Sequence, residues 1–345
     1  MTNQADPTPD NKAQLPDRAR WRHQPLQGRL SAVIAMFIEH ESVVEILKFI
    51  KQELILCKIK GESSAALVIA PSGAGKSRLI EYLQKLYLNS DTETQSIRPV
   101  IRFKIPKVLT LAGMGEALLR ALGDPMPKVG NAEDKINRAS ALLKSCQTII
   151  IAIDDFQDVP EKRHEEGIQE IGGWVRDLIT EHFDGVVLAF GTEPAAIVRD
   201  SNQQLRRRMQ ARLELPDFVM GTADQKKRFK ALMKAIDAKL PLAESSQLDT
   251  AVLLRPMQRA TAGNLDYIMK LLTKAVMLAV ARGSERIDRA DLAAAFVEQH
   301  RVAAHNGNPF DEDFPDVPLD EPGQIFFKAK AEEKPRKRKP GVSGQ

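Results

Sequence analysis

Cysteine is almost absent: Cys57 and Cys146 stand 89 positions apart, each in apolar surroundings. That excludes a disulfide scaffold and a thiolate metal knuckle, and it predicts two reduced core thiols. Glycine and proline, 20 of each in 345 residues, are not enriched, which excludes collagen-like and mucin-like chains. No apolar run approaches the roughly 18 residues that a bilayer span needs. The first twenty residues, MTNQADPTPDNKAQLPDRAR, lack the apolar segment of a secretory signal, so a cytoplasmic address and no membrane partner are expected. Charge of one sign is not in large excess either. A formal net charge of +4 does not by itself name a nucleic-acid partner. What remains is a chain 43% hydrophobic and 28% charged, enough for one large core or two ordinary ones.

Residues 1–30 hold four prolines and little periodicity, and they predict a flexible arm. From residue 31 the pattern changes. Val33, Met36, Phe37, Val44, Ile46, Leu47, Ile50 and Leu54 recur at helical spacing, which predicts two helices broken near His40. ALVIA, PVIRFKI, TIIIAIDD and GVVLAFGT are short apolar runs separated by helical segments. RLELPDF adds a short edge element. Such alternation predicts an α/β fold with a parallel sheet flanked by helices, over residues 31–218. Four helical patterns follow, 223–239, 245–255, 264–282 and 289–303, as a small all-helical domain over 219–305. Residues 306–345 are expected as a disordered tail, first acidic (six acids from Asp311 to Glu321) and then basic at Arg336–Lys339.

Ala70-Pro71-Ser72-Gly73-Ala74-Gly75-Lys76-Ser77 matches the phosphate loop G-x-x-x-x-G-K-[ST] at all but its first position, between an apolar strand and a helix. The glycines let backbone N–H groups turn toward phosphate oxygens, Lys76 supplies a point charge, and Ser77 offers a hydroxyl to Mg²⁺. Ser72, Gly73, Ala74, Gly75, Lys76, Ser77 and Arg78 are therefore the candidate ATP-binding residues. Ile149–Ile153 delivers Asp154 and Asp155 to a strand end, the edge where α/β sheets hold ligands. Asp154 is the candidate Mg²⁺ residue with Ser77, and Asp155 the candidate acid for polarising water; paired acids there also serve as a helix cap. Thr192 ends the next apolar strand, within reach of a γ-phosphate, or as a plain turn threonine. Arg206, Arg207 and Arg208 close a helix, either as a solvated face or as an arginine finger for a neighbouring subunit.

These residues in this order resemble the AAA+ ATPases, a P-loop fold followed by a helical lid. QLRRRMQARLELPDF and AFGTEPA look closer to the transposon target-selection ATPases, the group of TniB, TnsC and MuB, over roughly residues 20–305. That resemblance places Arg208 at the finger position and Thr192 as the first sensor. The second acid in such ATPases is usually Glu, so Asp155 implies slow, regulatory hydrolysis. It puts Asp266 where many AAA+ lids carry a sensing arginine, and a carboxylate cannot bind a phosphate. It implies a ring or helical filament on duplex DNA, a DDE-type transposase as a partner, and a TniQ-like targeting protein. Lys104, Lys107 and Lys128 are the compatible DNA-binding candidates, since sequence-independent contact needs only a few loop cations per subunit. A nucleotide-switched signalling ATPase and a helicase-loader relative share the same core and are the alternative readings; residues beyond Asn306 are too polar for the winged helix that a loader usually appends.

Overall fold

The computed structural model describes residues 18–93, 95–300, 307–315, 317–322 and 324–326. Residues 1–17 of the expected arm and the basic run Arg336–Lys339 lie outside them. In chain order the strands are β1 (Ser64–Ile69), a small hairpin β2 (Ser90–Asp91) and β3 (Ser96–Ile97), β4 (Val100–Lys104), β5 (Ile150–Asp154), β6 (Val186–Gly191) and β7 (Ala211–Glu214). Five of them form one parallel sheet in the order β4-β5-β6-β1-β7. The central strands read as unbroken apolar runs because both of their faces are covered.

One face is packed by α2 (Glu41–Lys60) and α3 (Lys76–Leu86), which bury Val43, Ile46, Ile50, Leu79 and Leu83 against Ala66, Val68, Ala152 and Leu188. The opposite face carries α4 (Leu111–Leu122), α5 (Ala132–Ser145), α6 (Asp158–Lys162), α7 (Glu165–Asp177), α8 (Ala195–Ser201) and α9 (Gln203–Arg208), over Leu67, Ile151, Ile153 and Val187. Both cysteines are free and buried, one on each face. The helix expected before LELP is two helices, because the Asn202 side chain accepts from the Gln204 and Leu205 amides at 3.0 Å each and starts α9 afresh.

The lid consists of α10 (Ala223–Lys239), α11 (Ala251–Thr261), α12 (Leu265–Ala281) and α13 (Arg289–Gln299). The helix expected over 245–255 is displaced to 251–261. Pro256 sits inside it, and the buried stripe of Leu253, Leu254, Met257 and Ala260 offsets the backbone bond that proline removes. Two further expectations need correction. Residues 18–30 are not a free arm: Arg29 is 3% exposed and donates from Nη1 and Nη2 to Glu285 at 2.9 Å each, and Arg18 donates to the Asp237 and Glu244 carbonyls. Helix α1 (Leu26–Ala35) accordingly packs Val33 into the lid core and not onto the sheet. The acidic stretch is also seated. Phe310, Leu319 and Phe326 are buried on the lid, and Arg289 Nε donates to the Phe310 carbonyl, so apolar residues between the acids decide its placement.

Candidate active site

The phosphate loop joins β1 to α3 through Gly73 (φ +81°) and Gly75 (φ +98°), both in the left-handed region. A Cβ at Gly73 would also meet Asn264 Oδ1 at 2.4 Å, so the position has no room for one. Ala70 takes the motif's first place without strain: it is fully buried at negative φ, and its N–H bonds the Gly191 carbonyl at 2.8 Å. The first amides of α3 have no acceptor within their helix and carry the positive end of its dipole, the usual seat of a phosphate. Lys76 folds back over the loop, donating to the Ala70 and Pro71 carbonyls at 2.7 and 3.0 Å. Burial pulls its pKa down, against the opposing charges of Asp154, Asp155 and Asp217.

Asp154 and Asp155 end β5 side by side but are held differently. Asp154 is 2% exposed. Its Oδ2 accepts from Arg102 Nη2 at 2.5 Å and Nε at 3.2 Å, and its Oδ1 from the Asp155 amide. The same Arg102 Nη2 donates to Ser77 Oγ at 2.9 Å. Asp155 has φ +58°, a conformation that Asp and Asn tolerate better than other side chains, and its Oδ2 accepts from Lys104 Nζ at 2.8 Å. Burial pushes the Asp155 carboxyl up, but Lys104, Gln157 and Lys76 together outweigh it and leave it below the usual carboxylate range. Gln157 links the two strand ends: its amide group faces Asp155 at 3.5 Å while its Oε1 accepts from the Thr192 amide at 3.2 Å.

Lys76, Ser77, Asp154, Asp155 and Gln157 line a cavity of about 770 Å³. Its polar end is the phosphate loop with Asp154, Asp155, Gln157 and Thr192; its apolar end is formed by Met36, Phe37, Ile38 and Val43 with Leu265 and Met269 of the lid. His40 lies at that end with its ring edge-on to Phe218 at 5.0 Å, and burial lowers its pKa to about 4. Arg78 lines the cavity while reaching the Ile34 carbonyl at 2.7 Å. The lid touches the loop directly. Asn264 Nδ2 donates to the Ser72 carbonyl (2.8 Å) and to Asp217 Oδ1 (2.9 Å), and the Asp266 amide donates to the Gly73 carbonyl (3.1 Å). The Asp266 carboxylate turns along its own helix to Lys270 at 2.7 Å.

The structure thus brings together Ser72–Arg78, Asp154, Asp155 and Thr192. It does not add the arginines: Arg206, Arg207 and Arg208 line no part of the cavity, and Arg208 lies 3.8 Å from Glu62. Glu62 precedes β1 and the phosphate loop follows it, so the six residues of that strand, about 20 Å, separate Arg208 from its own loop. Lys104 is not on an open loop but ends β4 against Asp155, whereas Lys107 and Lys128 stand exposed on the loops flanking α4. Arg102, Gln157, Asp217 and Asn264 are site residues that sequence reasoning missed. Arg102 had a signal, as a charged residue between apolar neighbours of PVIRFKI, two places before Lys104 and so on the same strand face.

A divalent cation fits this chemistry. Ser77 and Asp154 already share one cationic nitrogen, and no cluster of three or more His, Cys, Asp or Glu competes for metal among the described residues. Mg²⁺ characteristically takes few protein ligands and completes its shell with phosphate and water. No helix of the described residues is long and apolar enough to cross a membrane.

A family model described as bacterial TniB protein matches residues 32–220. No curated protein matches. Among solved structures, the Aeropyrum pernix ORC1 protein in complex with DNA is 16% identical at a TM-score of 0.53, over 79% of this chain and 69% of its own. The Aeropyrum pernix ORC2 protein, in ADPNP–ADP complexes, is 14% identical at 0.51, over 78% and 69%. The fold they share with it is the AAA+ fold, a parallel sheet flanked by helices with a helical region after it. With more than half of its length matched by the family model, the chain belongs to the TniB family.

Proposed function

We propose that this protein is an ATP-dependent, DNA-binding regulator of transposition, which assembles on target duplex DNA and recruits or activates a DDE-type transposase, with a TniQ-like protein supplying target information. The observation that carries the nucleotide half is the convergence of Lys76, Ser77, Asp154 and Asp155 on one cavity closed by the lid. Triphosphate is held by the loop amides and Lys76, and a purine ring by the apolar end. Asp155 accepts the proton of the attacking water, and Thr192, whose amide is tied to Gln157, lines the same cavity. Ser77 and Asp154 would hold a magnesium ion, which would supply charge neutralisation at the phosphate oxygens. Asp155 is one methylene shorter than the glutamate usual at this place, so turnover is slow. Arg208, at the far end of β1, serves a neighbouring subunit.

Lys104 joins nucleotide to DNA. The same ammonium cannot neutralise Asp155 and a DNA phosphate at once, so duplex binding frees the carboxylate to act as a base. Lys107 and Lys128 provide sequence-independent phosphate contact. The test is ATP hydrolysis with and without duplex DNA. Duplex should stimulate the wild type; Lys104→Met should hydrolyse faster than wild type without DNA and respond little to it. Lys107→Ala with Lys128→Ala should weaken binding on all sequences and flatten the log–log salt slope by about two. An ATPase indifferent to DNA would favour the signalling reading.

A further inference from the structure

Within the nucleotide-site reading, on which this inference rests, one charged residue has no role so far. We propose that Arg102 is an internal cation at the divalent-metal position, so that a metal ion reaches Ser77 and Asp154 only by displacing this chain's own guanidinium. A single nitrogen, Nη2, touches both oxygens, Asp154 Oδ2 at 2.5 Å and Ser77 Oγ at 2.9 Å. That is the placement of one cation bridging two ligands that come from different motifs, the phosphate loop and the end of β5. Among the described residues Arg102 has no other ion-pair partner.

The sheet explains how the side chain gets there. β4 and β5 pair in parallel, with Arg102 opposite Ala152 and Lys104 opposite Asp154. Ala152 is small enough for the guanidinium to run past it toward the strand end. Lys104 meets Asp155 at that edge, so each of the two adjacent carboxylates has its own cation from β4. A divalent ion added beside Arg102 would crowd like charges on the same two oxygens, in a site where Lys76 and Lys104 are already positive. The two cations are therefore alternatives. The Arg102 side chain keeps 22% of its surface exposed, against 2% for Asp154, so it has a route out toward solvent or toward phosphate oxygens. Metal affinity is then weakened by the guanidinium, and a nucleotide whose phosphates draw Arg102 away strengthens it.

The experiment is a titration of Mn²⁺ into the nucleotide-free full-length protein, repeated with the β,γ-imido analogue of ATP bound, with free Mn²⁺ read by electron paramagnetic resonance. Without nucleotide Arg102→Gln should bind Mn²⁺ about ten-fold more tightly than wild type or better, the worth of a charge-assisted hydrogen bond removed from the competing side, and the gap should narrow with the analogue bound. Arg102→Lys keeps a cation on Asp154 but cannot span both oxygens with a planar fork, so it should fall between the two. It also serves if the glutamine variant fails to fold. Equal or weaker Mn²⁺ binding in the folded glutamine variant, or in the lysine variant alone, overturns the proposal and makes Arg102 a support for the site. Calorimetry of the wild type with the analogue separates the two readings: a chain that binds no analogue loses the nucleotide reading and this one together, whereas one that binds it normally with no gain of Mn²⁺ affinity in the variants loses only this.

Discussion

The contact between lid and phosphate loop turns on Asn264, and its two ends can be separated by substitution. The side chain is 7% exposed; its oxygen caps α12 by accepting from the Asp266 amide at 3.2 Å, and its nitrogen donates to Ser72 and Asp217. Asn264→Ser keeps a capping oxygen and loses both donated bonds, a loss of ~2 kcal/mol with one acceptor charged. Asn264→Ala also loses the cap, another ~1 kcal/mol. Asn264→Asp keeps the cap but sets a second carboxylate against Asp217 and against the Ser72 carbonyl, so it should be at least as damaging as alanine despite its similar shape. Moving the donor across the bond, in the double variant Asn264→Asp with Asp217→Asn, should recover much of the loss. Urea unfolding measures the series, and nucleotide calorimetry shows whether the loop geometry follows it. Wild-type stability in Asn264→Asp, or additivity of the double variant within ~0.5 kcal/mol, would refute the latch.

Asp155→Asn should retain nucleotide and abolish turnover, since asparagine also tolerates φ +58° but cannot take a proton; single-turnover hydrolysis at the wild-type rate would reassign the base. For His40, burial lowers the folded pKa from 6.5 to about 4, so the unfolded chain binds the extra proton in between; the stability contribution is intact above pH 6.5 and drains as pH falls toward 4. Between pH 7.5 and pH 5 wild type should lose about 2 kcal/mol relative to His40→Gln in denaturant titrations, and parallel curves would count against a buried neutral imidazole. Arg208→Ala should bind ATP normally yet lose DNA-stimulated hydrolysis and filament formation, and mixing it with Lys76→Ala should restore part of the activity. Filaments and wild-type turnover in Arg208→Ala alone would remove it from any shared site.

Most of the sheet was legible because each of the three central strands is a continuous apolar run ending in a chemically marked residue: Gly73 and Lys76 after β1, Asp154 after Ile150–Ile153, Thr192 after Val186–Gly191. The phosphate loop could be read because its residues are local in sequence. Asn264 and Asp217 could not, since their meaning arises only when α12 docks on a loop 192 positions earlier. Arg29 shows the same limit. It sits in a proline-bearing, weakly periodic stretch, and only its partner Glu285, 256 positions away, turns that stretch into an ordered part of the lid. Phe310, Leu319 and Phe326 were hidden among acids that composition alone assigns to solvent.

The pairing of β4 with β5 bears on why this site holds its carboxylates as it does. Two adjacent acids at a strand end repel, and one of them, Asp154, is almost wholly removed from water. An ionised carboxylate so placed needs a cation or hydrogen-bond donors close by. In this chain the donors come from alternate residues of one neighbouring strand, Arg102 to Asp154 and Lys104 to Asp155, because the period of two puts both on the same face at the same edge. Under the proposed function, both acids that the chemistry requires are thus paired with residues that the chemistry must move: loading with metal would ask Arg102 to leave, and activation of water would ask Lys104 to leave. A site built this way would favour the restrained arrangement until a ligand of opposite charge, a triphosphate for one and a DNA backbone for the other, offers each cation another partner. Under that function, slow basal turnover would then have a second source besides the short side chain of Asp155: both carboxylates start out paired.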